Sequence, residues 1–129
     1  MLSKNISENL FWRKQFVSSR TVKDRIQDIL NAISSIQKET KNIDFLEFSH
    51  NEMLVKAVLY DLIIIGEAAI NIPTEIQLLA PELPWRLMSD MRNIIAHEYF
   101  QVNLRITWKT IHNNLPSIID PLRQLLEKL

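Results

Sequence analysis

Three side chains that suit chemistry on a phosphodiester lie close together in the segment MRNIIAHEYF, residues 91–100. They are Arg92, His97 and Tyr99, and most residues between them are apolar. Histidine titrates near neutral pH, so one imidazole can remove a proton and another can return one. Arginine donates to the non-bridging phosphate oxygens, and tyrosine can donate to phosphate or stack on a base. Because RNA carries its own nucleophile, the 2′-OH, this set suits RNA cleavage without a metal ion.

The spacing of these residues limits how one copy of the chain can assemble a site. At about 100° per residue, Arg92 and Tyr99 share a helical stripe, whereas His97 lies roughly 140° from Arg92. Either the helix ends near His97, or the same segment of a second copy completes the site about a two-fold axis. A purely structural role is the alternative, with helix capping, an ion pair to Glu98 and an interface tyrosine.

The composition favours one helical domain without bound cofactors. The chain has 129 residues, with one Gly and no Cys. Gly-rich phosphate loops, disulfides, thiolate zinc sites and cysteine nucleophiles are therefore excluded. Fifteen basic and fifteen acidic residues argue against a broad positive surface for nucleic acid. No signal peptide or membrane span is expected, and we predict a soluble, cytoplasmic protein.

Apolar residues at helical spacing predict an all-α fold, an antiparallel bundle of four or five helices. The expected helices run from about 21 to 39, from about 52 to 71, from Pro84 through the motif, and from Leu104 onward. Pro116 and Pro121 are predicted to kink or divide the last helix. Residues 1–18 are predicted to be an N-terminal extension that could form a short helix, and residues 19–129 the domain.

The most apolar predicted helix carries three residues with separate expectations. Glu67 is predicted to pair with Arg92 or another arginine, because burying an unpaired carboxylate is costly, and the alternative is a peripheral Glu without a partner. Gly66 is predicted to allow close contact with another helix. Tyr60 is expected to be buried. Elsewhere, three aromatic residues are predicted to pack in the core or a dimer interface: Trp85, Phe100 and Trp108.

Two further histidines are predicted to have no catalytic role. Glu47 and His50 form a single E-x-x-H in a predicted loop, whereas di-iron bundles require two copies and further carboxylates. No metal site is therefore expected. His112 is predicted to be a surface or helix-packing residue.

The motif RNIIAHEYF resembles the R-x4-H-x-Y form of the HEPN-domain signature. The stretches RTVKDRIQDILNAI, DLIIIGEAA and PELPWRLMSDMRNIIAHEYFQVNLRITWKTIHNNLPSI, in this order, are similar to the HepT branch, which comprises toxins paired with a minimal nucleotidyltransferase antitoxin. The resemblance covers residues 20–129, and residues 1–18 lie outside it.

The resemblance implies a helical homodimer that meets about the motif helix and cleaves RNA without metal. It makes Arg92 the phosphate-binding residue and His97 the general acid/base. Asn93 becomes a candidate for ordering Arg92 or the RNA. Apart from the resemblance, Glu67 is a candidate supporting residue, because an ion pair with Arg92 would hold the guanidinium in position. Tyr99 is the position at which the partner enzyme attaches AMP. Two alternatives remain: a non-catalytic helical adaptor, and a nucleotide-binding module for a nucleotidyltransferase.

Overall fold

The computed structural model describes residues 19–129 together with Arg13 and Gln15. Its helices are α1 (Val22–Glu39), α2 (Phe45–Ser49), α3 (Glu52–Ile70), α4 (Thr74–Gln77), α5 (Trp85–His97), α6 (Leu104–Lys109) and α7 (Leu115–Lys128). A 3-10 turn (Tyr99–Gln101) follows α5, and a π-helical turn (Thr110–Asn114) joins α6 to α7. These residues contain no strand, which confirms the predicted all-α bundle. Apart from Arg13 and Gln15, the predicted extension over residues 1–18 lies outside the described residues.

The start of α1 is fixed by a capping box. The Thr21 hydroxyl accepts from the backbone N–H of Asp24 at 3.1 Å, and the Asp24 carboxylate accepts from the backbone N–H of Thr21 at 3.0 Å. The hydrogen bond from the Thr21 backbone lowers the pKa of the Asp24 carboxyl below its ordinary value. Two otherwise unpaired donors are thereby satisfied, so the helix begins where the sequence predicts.

Helix α3 is the centre of the bundle, because it packs against α1 on one side and α5 on the other. Its buried residues form the middle of the core: Val58, Leu59, Leu62, Ile65, Gly66, Ala68 and Ala69. The helix begins at a cap from Asn51, whose side chain accepts from the backbone N–H of Leu54 at 3.0 Å. In the described part of the chain, no helix combines the length and apolar character needed to cross a membrane.

Two aromatic side chains, those of Tyr60 and Phe100, are largely exposed in a single copy of the chain. Tyr60 is 64% exposed, so its predicted burial is wrong. Tyr60 shares an outward stripe of α3 with Met53, Lys56 and Glu67, all exposed, because α1 and α5 cover only the remaining faces. Phe100 is 97% exposed and does not belong to the core.

The predicted loop around Glu47 and His50 contains the short helix α2 instead. The Asp44 carboxylate accepts from the backbone N–H of Glu47 at 2.8 Å, and Phe48 is completely buried. Cap and buried ring together stabilise a turn too short to give a helical pattern in the sequence. Among the described residues, no group of three His, Cys, Asp or Glu side chains is placed to hold a metal ion.

The last helix is not divided at Pro121, one of the two outcomes predicted for this proline. Helix α7 continues through Pro121, because Leu122 and Leu125 after it are buried and hold the chain against the core. The irregularity lies upstream, in the π turn Thr110–Asn114. Pro116 sits in the first turn of α7, where a missing backbone N–H costs little.

The tryptophans pack as predicted. Trp85 is buried at the start of α5, and its indole N–H donates to the carbonyl of Ala80 at 3.0 Å. Trp108 is half-buried on α6, with its ring centroid 5.1 Å from that of Phe48. Trp85 therefore fixes the entry of the chain into the motif helix.

Candidate active site

Arg92 lies where α3 and α5 approach most closely. A Cβ added at Gly66 would lie 2.2 Å from the Cβ of Arg92 and 2.6 Å from the carbonyl oxygen of Met88. No side chain fits at such distances, so only glycine permits this helix separation. The predicted role of Gly66 in close helix contact is confirmed, and this contact positions Arg92.

We expect Gly66→Ala to lower the free energy of unfolding by about 1–3 kcal/mol, the range for overpacking a filled core. The new methyl group must push α5 away from α3. In a helix with free space at the glycine, Gly→Ala would raise the free energy of unfolding by up to about 1 kcal/mol. The sign of the change at Gly66 therefore shows whether the two helices are in close contact. Urea denaturation measures the difference, and a stabilised variant would contradict the contact.

The Arg92 side chain is held by two neighbours. Its Nε lies 3.1 Å from Oε2 of Glu67, and its Nη1 donates to Oδ1 of Asn93 at 3.0 Å. The predicted ion pair between Glu67 and Arg92 is therefore confirmed. The Nε atom is buried and has no hydrogen bond of good geometry within the described residues, so its contact with Glu67 is an ion pair.

The ion pair orients Arg92 more than it stabilises the fold. The Arg92 side chain is 34% exposed and that of Glu67 52% exposed. Solvent screens such a pair, and its contribution is at most about 1 kcal/mol. Within residues 19–129, the Nη2 donors of Arg92 have no hydrogen-bond partner. They remain available for the oxygens of an anionic ligand.

His97 is the last residue of α5 and is exposed. Glu98 ends the helix with φ −120° and ψ 35°, so the chain changes direction directly after the imidazole. A helix that ends near His97 is one of the two arrangements that the spacing left open, and the structure has this helix end. His97 and Arg92, both within the described residues, form no hydrogen bond with each other. In a single copy of the chain, the position of each side chain is therefore set independently of the other.

Tyr99 begins the 3-10 turn and is half-buried against the core. Its ring meets Phe100 edge to face, with centroids 5.4 Å apart. Its hydroxyl makes no hydrogen bond to another described residue. The structure therefore brings Glu67, Arg92 and Asn93 into contact, while His97 and Tyr99 follow at the end of the same helix.

An apolar groove of about 490 Å³ runs beside this site, between α5 and α6. Its wall includes Met91, Ile94 and Ile95 from α5, and Val102 and Ile106 from the segment after it. Ile94 and Ile106 are 61% and 62% exposed. A large apolar surface therefore adjoins the charged site.

Residues 29–126 match the family described as "Ribonuclease HepT-like". This chain belongs to the HepT-like family. The match contains every element from the second turn of α1 to the last turn of α7, including Gly66, Glu67 and the motif. The resemblance drawn from the sequence is confirmed at the level of the family.

Relatives from archaea and bacteria each match at least 77% of this HepT-like chain. "Probable ribonuclease HepT" of Thermococcus cleftensis is 42% identical over 99 residues, which are 77% of this chain and 90% of the relative. A "Putative RNase" of Methanocaldococcus jannaschii is 37% identical over 102 residues, covering 79% and 94%. A "Putative RNase" of Caldanaerobacter subterraneus is 33% identical over 109 residues, covering 84% and 97%. No solved structure matches the chain significantly.

Proposed function

We propose that this HepT-like protein is a metal-independent ribonuclease with Arg92 and His97 as its catalytic residues. The observation that carries the proposal is the Arg92 guanidinium, which Glu67 and Asn93 hold five residues before an exposed His97. Its Nη2 donors have no partner among residues 19–129. The names of its relatives as ribonucleases support the same activity.

The reaction we propose is attack by the RNA 2′-OH on the adjacent phosphorus. An imidazole of His97 removes the 2′-OH proton, the 2′-O–P bond forms, and the P–O5′ bond breaks. The 5′-oxygen leaves with a proton returned by an imidazolium. Arg92 donates to the non-bridging oxygens as their charge grows. The products are a 2′,3′-cyclic phosphate and a 5′-OH end.

Cleavage should persist in excess EDTA, because every step uses a side chain or the RNA itself. The measurement is the rate of cleavage of a labelled RNA by protein dialysed against EDTA. A loss of cleavage that Mg²⁺ restores would replace this mechanism with metal-ion chemistry.

We further propose that two copies meet across α5 and α6, so that two His97 side chains share one site. The exposed apolar residues beside the motif support this arrangement, since Leu87, Ile94 and Ile106 are each more than 60% exposed. Large exposed apolar patches mark interaction surfaces. One imidazole can then act as base while its partner acts as acid.

Ile94→Asp should convert a dimer into a monomer, because it places a charge in the proposed interface. Light scattering measures the mass, and Met53→Asp on the outward stripe of α3 is the matched control, with Met53 83% exposed. A wild-type monomer at tens of micromolar that still cleaves RNA would refute the shared site.

We also propose that a minimal nucleotidyltransferase silences this protein, as an antitoxin silences a toxin, by transferring AMP to Tyr99. Tyr99 lies two residues beyond His97, and its hydroxyl has no partner among the described residues. An adenylyl phosphate there would be drawn to Arg92 and compete with RNA.

The rival function is a non-catalytic adaptor or nucleotide-binding module for such an enzyme. An adaptor has no need of an oriented Arg92 beside an exposed His97, whereas a nucleotide-binding module predicts saturable binding of ATP or AMP. Calorimetric titration of the unmodified protein with each nucleotide separates that module from the ribonuclease.

A further inference from the structure

A second cluster of aromatic and cationic side chains lies on α2 and α6, apart from the motif. The Trp108 ring centroid is 6.2 Å from that of Phe45, at an interplanar angle of 71°. The His112 ring lies 4.2 Å from Trp108, and the guanidinium carbon of Arg105 lies 4.2 Å from the centre of the Phe45 ring. We call Phe45, Arg105, Trp108 and His112 the aromatic patch.

Core packing accounts for only the inner layer of this patch. Phe48, beneath it, is completely buried, and Phe45 and Trp108 are half-buried. Arg105 and His112 are exposed and form an outer layer on those rings. A planar cation and an imidazole are thus held on aromatic supports with their outer faces in solvent.

The position of His112 depends on the π turn. His112 lies inside Thr110–Asn114, and its Nδ1 is 2.9 Å from the carbonyl oxygen of Trp108. Because a carbonyl only accepts, Nδ1 carries a proton and donates it, and the ring is fixed in place. π-helical turns inside helices are frequently found at functional sites.

The aromatic patch adjoins two exposed cations on α6, and α2 also carries an exposed carboxylate, that of Glu47. Arg105 and Lys109 are exposed one helical turn apart on α6, and neither forms an ion pair with another residue of the described chain. The nearest carboxylate in sequence to Phe45, that of Asp44, is engaged in capping α2. An anionic ligand therefore meets cations beside stacking surfaces.

We propose that the aromatic patch is a subsite for single-stranded RNA that lies outside the cleavage site. A base stacks on His112 or on the Arg105 guanidinium, and neighbouring phosphates contact Arg105 and Lys109. Proteins recognise unpaired RNA by stacking its bases on aromatic rings and guanidinium planes. This inference rests on the proposed ribonuclease function.

One RNA strand can reach both sites. Arg105 follows His97 by eight residues, so their Cα atoms are at most about 29 Å apart. An RNA of several unpaired nucleotides spans such a distance. The patch therefore favours substrates with single-stranded segments over short duplexes and dinucleotides.

The test measures RNA binding without cleavage, in the His97→Ala background. Adding both Arg105→Ala and His112→Ala removes the side chains on which bases would stack. Fluorescence anisotropy of a labelled single-stranded RNA oligonucleotide should then show binding that is weaker by roughly 5- to 150-fold for each base whose stacking is lost. His112→Phe, which keeps a ring, should bind like its parent. Arg105→Ala should also reduce the slope of log affinity against log salt concentration by about 0.7 for each phosphate that Arg105 neutralises.

Arg123→Ala is the matched control, since Arg123 is exposed on α7 and pairs with Asp120. It should bind RNA normally. Unchanged binding by the Arg105/His112 variant, while the wild type cleaves RNA, would overturn the subsite and leave the ribonuclease function standing. Failure of the wild type to cleave RNA would overturn the ribonuclease function itself. If the Arg105/His112 variant binds RNA normally but no longer binds a nucleotidyltransferase, the aromatic patch is a protein interface, and the proposal is overturned.

Discussion

We expect His97→Ala and Arg92→Ala each to reduce RNA cleavage by about 10²–10⁴-fold, the effect of losing a general acid/base or a charge-stabilising donor. The losses fall on kcat/KM, because both groups act in the transition state. The measurement is single-turnover cleavage of a labelled RNA with protein in excess. Expression of either variant should also no longer inhibit growth.

Matched substitutions separate catalysis from folding. His50→Ala removes an exposed histidine from the end of α2, and Arg123→Ala removes an exposed arginine from α7. Both should cleave RNA at the wild-type rate. Circular dichroism should give the same helical content for all four variants. Full activity of His97→Ala would remove His97 from the mechanism and assign the proton transfer to another group, whereas absence of cleavage by the wild type would favour the non-catalytic adaptor.

Glu67→Gln should have a smaller effect than either catalytic substitution. It removes the charge that faces Nε of Arg92 but leaves the hydrogen bond from Nη1 to Asn93 intact. Because Glu67 acts through Arg92, Glu67→Asp should recover part of the activity. This distinguishes positioning from direct contact with RNA.

The main helices could be predicted from the sequence because their signals are local. Thr21 and Asn103 cap their helices as expected, and a proline precedes α5. Local signals do not determine how much of each helix its neighbours cover. Tyr60 is exposed because α1 and α5 leave one stripe of α3 open, and α2 forms because Phe48 finds a buried place.

The candidate site was predictable in its residues and less so in its geometry. The ion pair between Glu67 and Arg92 was predicted from the cost of burying a carboxylate, but Glu67 is 52% exposed, so the partner was predicted correctly and the reason was wrong. Gly66 lies against the Cβ of the same arginine. This contact depends on how α3 and α5 cross, which no local sequence pattern determines. The aromatic patch was missed for a related reason. Its spacing on α6 is helical, but the π turn that places His112 has no sequence signal of its own.

Incubation with a minimal nucleotidyltransferase, ATP and Mg²⁺ should add AMP to Tyr99 and abolish RNA cleavage. The phenol attacks the α-phosphorus of ATP, the Tyr99 O–P bond forms, and pyrophosphate leaves with the α–β bridging oxygen. The new phosphate carries negative charge beside Arg92, and its adenine fills space that RNA would need. Intact mass spectrometry measures the added units, and the cleavage assay measures their effect.

Tyr60 provides an internal control for this modification, because at 64% exposure it is as accessible as any tyrosine on the described surface. Tyr60→Phe should be modified and silenced like the wild type, whereas Tyr99→Phe should stay unmodified and active. Accessibility alone would label both positions, so selective labelling of Tyr99 would require recognition of the motif by the partner enzyme. If a catalytically dead partner still silences Tyr99→Phe, binding of the partner is sufficient, and covalent modification is not the main form of control.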